Sequence, residues 1–139
     1  MTDFILALHI IGLMMGAGGG FGSMITQREA LKRPADQAAV LRSVGPALAR
    51  FSSVGLVIML ITGPALVQLK YGGFSAMPLM FWVKMIFVTT LTVAAIAMEV
   101  LYAQSNAGNQ AAAPRVAAFG PVAGISSILA VVFAALAFH

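Results

Sequence analysis

The sequence predicts an all-α integral membrane protein: a four-transmembrane-helix up-down bundle, N-out/C-out. Three observations carry that prediction. First, 60 % of the 139 residues are hydrophobic and only 9 % are charged, a balance far from that of water-soluble domains. Second, polar or Gly- and Pro-containing stretches divide the chain into four apolar segments of roughly 20–25 residues, each long enough to cross a hydrocarbon layer about 30 Å thick. Third, Arg28, Lys32, Arg33, Arg42 and Arg50 flank the first connection, against Lys70 alone in the second. Cytoplasmic loops are the ones enriched in Lys and Arg, so the first and third connections lie inside and both termini outside.

Four spans with short connections use the whole chain, so one transmembrane domain over residues 1–139 is expected, placed in the cell inner (plasma) membrane and in contact with the lipid bilayer. There is no cysteine, which excludes disulfides, thiolate metal sites and Cys nucleophiles. The net charge of +4 follows from the basic first connection, so membrane topology explains it and no nucleic-acid partner is expected. Asp3, with no Lys or Arg before the apolar run, argues against a cleavable signal peptide.

Span one is expected over about residues 4–25. Lys32, Arg33 and Pro34 close any helical extension of it. Between Ala35 and Gly45 the chain turns polar, yet Val40, Leu41, Val44 and Leu48 keep a partial three-to-four spacing, which predicts a short helix along the membrane surface. Span two, about 46–69, starts at Pro46, a favourable first helical residue, and carries Gly63-Pro64, which should kink it. Span three, about 78–103, follows a Gly-rich connection; Tyr71, Phe74 and Trp82 suit the interfacial aromatic belt. Residues 104–113 read as a polar, small-residue loop. Span four, about 114–138, contains a second Gly-Pro pair at Gly120-Pro121, and His139 ends the chain.

Span one is the stretch around which the chemistry gathers, because His9 is its only ionisable residue. With His9 set at 0° on a helix of 100° per residue, Gly12 falls at about 300°, Gly16 at about 340° and Gly20 at about 20°. Such a face is flat and closely approachable. It serves either tight helix–helix packing or a flat cofactor whose metal His9 reaches. Counted from the span boundaries, His9 and Lys84 both lie about 9 Å into the membrane from the outer side, and Thr62 about 12 Å. An ammonium at that depth needs a partner or a route to the interface. Thr62 can bond its own backbone beside the kink or face a cavity. Glu99, roughly 22 Å along span three from Lys84, is expected to pair with Arg115, Arg50 or water. His139 is either a solvated terminus or a second ligand. The nine methionines are scattered over spans and levels, as core fillers are, although thioethers also suit Cu(I). No phosphate loop, nucleophile elbow or His-Glu-x-x-His appears, so hydrolase and kinase readings are excluded.

Leu8-His9 before a Gly-rich run, Arg50-Phe51, Thr62-Gly63 late in span two and Trp82-Val83-Lys84 early in span three resemble a superfamily of small four-helix membrane proteins. It comprises the J-type protoporphyrinogen oxidases, the copper-resistance D-type proteins and a related family of predicted integral membrane proteins. The resemblance implies haem b bound through His9, with Lys84 as a site cation. It also implies a possible protoporphyrinogen-oxidase-like activity, although the later Tyr-His pair and acidic element of those oxidases are replaced here by Ala95-Ile96-Ala97-Met98-Glu99 and Ala112-Ala113-Pro114-Arg115. Three functions follow. The first is a haem- or tetrapyrrole-binding protein with a redox role, using His9, Lys84, Gly12, Gly16 and Thr62. The second is copper or small-solute transport. The third is a non-catalytic subunit whose glycine ladder docks in a homo-oligomer or larger membrane complex.

Overall fold

A computed structural model describes residues 1–108 and 112–137. The chain forms four long helices, α1 (Thr2–Ala30), α2 (Ala35–Lys70), α3 (Leu79–Asn106) and α4 (Ala112–Ala137), with a single 3₁₀ turn at Phe74–Ala76. No strand occurs among the described residues. Each of the four helices contains a stretch long and apolar enough to cross a membrane.

The first connection is the tightest. The amides of Lys32 and Arg33 donate to the Glu29 and Ala30 carbonyls at 3.1 and 3.4 Å, and Pro34, with extended backbone, starts the next helix. The expected surface helix and span two are one 36-residue helix, so residue 46 is not a boundary. A proline inside a helix loses one backbone bond, here to the Arg42 carbonyl. Ala38, Gly45 and Ala49, buried on α2, keep the chain in helical register on either side of it. At 1.5 Å per residue α2 is about 54 Å long, so its first third projects beyond a hydrocarbon layer of about 30 Å. The other helices also overrun their expected limits: α1 continues to Ala30, α3 to Asn106, and α4 starts at Ala112. Phe138 and His139 lie outside the described residues, so the His139 ligand reading has no structural counterpart.

Helices α1 and α2 form one closely packed hairpin and α3 and α4 a second; the two hairpins touch each other far less. The interior is built from small residues. Ala30, Ala38, Ala49, Ala94, Ala112 and Ala130 are buried, whereas Phe4, Met14, Ile61 and Ile86 are 65–69 % exposed. In water that distribution would be upside down. In lipid it is the stable one, because tails solvate large apolar side chains and close backbone approach drives helix association. The second hairpin relies more on rings: Phe87 and Phe133 stack with centroids 5.5 Å apart and planes 10° from parallel. Gly72 and Gly73, at φ of +77° and +99°, turn the chain after α2, and the Gly73 amide donates to the Val67 carbonyl at 3.0 Å.

Candidate cofactor site around His9

His9 is half-buried on α1, and its Nδ1 lies 2.8 Å from Thr62 Oγ1 on α2. Thr62, itself buried, donates its hydroxyl to the Ile58 carbonyl at 2.7 Å. Of the two roles foreseen for Thr62, the structure shows the bond to its own backbone, and the same hydroxyl also meets His9. Gly63 lies beside the ring, a Cβ there standing 3.5 Å from His9 Cε1, an ordinary van der Waals contact. Helices α1 and α2 therefore contribute a polar contact on the side of the bundle that carries the N-terminus. Lys84, half-buried on α3, brings its Nζ to 5.8 Å from the Phe81 ring centroid.

The glycines divide. A Cβ on Gly12 would stand 2.8 Å from the Gly55 carbonyl oxygen, and one on Gly55 would stand 2.5 Å from that of Gly12. Gly19 is equally tight, at 2.7 Å from the Leu48 carbonyl. Gly16 is looser, with only the Ser52 carbonyl at 4.0 Å, and Gly20 is exposed. The face expected to floor a ring at Gly12 is filled by α2. Gly19 replaces Gly20 on that face for a geometric reason: seven residues return to within about 20° of the starting direction, whereas eight drift by about 80°. Ser52 completes the contact by donating to the Gly16 carbonyl at 2.8 Å. Met15 and Met59 pack around the same crossing, in the core-filling role expected of methionine. No group of three or more His, Asp or Glu side chains is brought together among the described residues.

A family model of predicted integral membrane proteins (DUF2269) matches residues 3–137. The chain belongs to that family. The match covers the predicted-membrane-protein branch of the resemblance and carries no activity with it. No curated protein and no solved structure matches the chain.

This DUF2269 member carries a second polar layer, near the opposite end of α3. Ser53 donates to Glu99 Oε1 at 2.8 Å, in place of the expected Arg50 or Arg115, both of which are exposed. Gln27 Nε2 donates to the Tyr102 hydroxyl at 2.8 Å, with Ser23 Oγ 3.4 Å from the same oxygen. Sequence reasoning missed Ser23, Gln27, Ser53 and Tyr102. A signal existed: Tyr102 is eighteen residues after Lys84, five full turns, so the two share one face of α3, and polar groups in an apolar span require partners. Two shallow apolar grooves of about 350 and 280 Å³ run along α3 past Thr89 and Thr90. Both threonines bond their own backbone at 2.9 Å, and none of the groove-lining residues belongs to the His9 layer.

Proposed function

We propose that the protein is an inner-membrane, N-out/C-out carrier of a b-type haem or related tetrapyrrole, with His9 as axial ligand and Lys84 as the cation that faces a propionate. The observation that carries this reading is the His9–Thr62 contact. Nδ1 is engaged by a buried hydroxyl, which leaves Nε2 for iron, and ligating histidines are ordinarily held in that manner through the other ring nitrogen. The donor set suits the group: the spans hold an imidazole and a cation, and b-type haem needs no thiolate. The glycine stripe does not serve as a floor at Gly12, which α2 fills, so the ring would stand on the Nε2 side of His9. Bound through imidazole, haem supplies one-electron transfer; the chain's part is to hold the ligand, balance the carboxylate and exclude water.

The same packing bears on the alternatives. Gly12, Gly19 and Gly55 are spent within the hairpin, which leaves Gly16 and Gly20 of the ladder to the docking-subunit reading. For a copper path, Met15 and Met59 fill the α1–α2 crossing.

Purified protein, expressed with haem supplied, is expected to show a Soret band and a positive pyridine haemochrome assay, both lost in His9→Ala. No haem in the wild-type protein overturns the reading. Reporter fusions after Ala107 and at the C-terminus test the orientation; cytoplasmic and external signals respectively are expected, and the reverse pattern overturns it.

A further inference from the structure

We propose that Thr62 is a positioning residue that fixes the tautomer of His9, so that Nε2 presents a bare lone pair and this position takes an electron-pair acceptor, haem iron being the one proposed above, and rejects carbonyl and carboxylate oxygens. The identity of the acceptor rests on the proposed function; the tautomer does not.

The inference follows from counting protons along three atoms. His9 Nδ1 is 2.8 Å from Thr62 Oγ1, and Thr62 Oγ1 is 2.7 Å from the Ile58 carbonyl oxygen. Contacts that short between electronegative atoms each require one hydrogen between them. The carbonyl has none and the hydroxyl has one. That single hydrogen lies between Thr62 and Ile58, so the hydrogen in the other contact belongs to the imidazole. Nδ1 carries it, and in a neutral ring Nε2 then carries none.

Two further features hold this arrangement in place. Thr62 is only 7 % exposed, so solvent does not offer the Nδ1 hydrogen another acceptor. Lys84, on α3, is an ammonium and brings donors only. Thr62 therefore acts through its hydroxyl, which accepts from the ring and donates to its own helix.

The test uses the full-length, haem-free protein in detergent micelles with ¹⁵N-labelled histidine at about pH 8.5, well above the ordinary imidazole pKa. His9→Ala assigns the signal apart from that of His139. The proton is expected on Nδ1 in the wild type and in Thr62→Ser, and Thr62→Val is expected to lose that preference. A wild-type proton on Nε2, or a Thr62→Val spectrum identical to wild type, overturns the proposal. A haem titration adds an independent arm: Thr62→Val should weaken binding about 10–100-fold, the usual effect of removing an outer-shell partner, with Thr62→Ser restoring it. Equal affinity in Thr62→Val overturns the positioning role. If the wild type binds no haem, the proposed function fails while the nitrogen spectra still decide the tautomer.

Discussion

The two polar layers of the bundle use similar residue types for opposite ends. Around Tyr102 and Glu99, each hydrogen bond crosses from the first hairpin to α3: Gln27 to Tyr102 and Ser53 to Glu99, both at 2.8 Å. Around His9, the bond to Thr62 stays inside the first hairpin and adds nothing to the closure between hairpins. One layer joins two bodies. The other orients a single ring and leaves its second nitrogen available. A hydroxyl beside an ionisable group in lipid thus serves either as a cross-link or as a holder, according to which helices supply the two groups.

The packing beneath both layers gives the largest expected effect. Gly12→Leu and Gly55→Leu drive a side chain into a carbonyl of the facing helix, where backbone cannot retreat cheaply; the loss is expected to exceed the usual overpacking cost of about 1–3 kcal/mol. Detergent-extracted yield and thermal melting measure it. Gly18→Leu, with nothing within 4 Å of its Cβ direction, should leave both unchanged. Gly16→Leu should fall between them. Equal behaviour of the four variants would mean that the α1–α2 crossing is not the close one.

The second contrast is between layers. Lys84→Ala should keep the haem and weaken its binding about tenfold, or about 1.4 kcal/mol, because a propionate loses a nearby cation while the iron keeps its imidazole. Glu99→Gln should leave haem affinity unaltered, since it lies roughly 22 Å along α3 from Lys84. A Glu99→Gln variant that loses haem would merge the two layers into one site.

Much of this was legible in the sequence, and the failures share a cause. Span number follows from apolar run length, and a level shared by His9 and Thr62 from helical rise, which are local properties. What failed depends on the neighbour. Pro46 reads as a helix start until small residues on both sides of it are buried and Gly45 meets Tyr102 of α3. Gly20 reads as part of the ladder until a crossing helix selects the seven-residue repeat and buries Gly19. Glu99 reads as an ion-pair partner until Ser53, 46 positions away in the chain, proves to be the donor. Tyr102 carried only its helical spacing from Lys84; its role comes from Gln27, 75 positions distant.

The smallest effect tests whether the Tyr102 layer is a cross-link. Tyr102→Phe removes the acceptor of the Gln27 amide without emptying space, so the expected loss is that of one net hydrogen bond, about 0.5–1.5 kcal/mol. Thr92→Val is the proper control. Its hydroxyl donates to the Val88 carbonyl of its own helix at 2.8 Å, so removing it breaks nothing between hairpins and should change the melting temperature little. Gln27→Leu measures the other side of the same bond. In a double-mutant cycle, Gln27→Leu and Tyr102→Phe should couple, each losing less when the other is already gone. Additive losses would mean that the two side chains act separately, and Ser53–Glu99 would then be the hydrogen bond that joins the first hairpin to α3 in that layer.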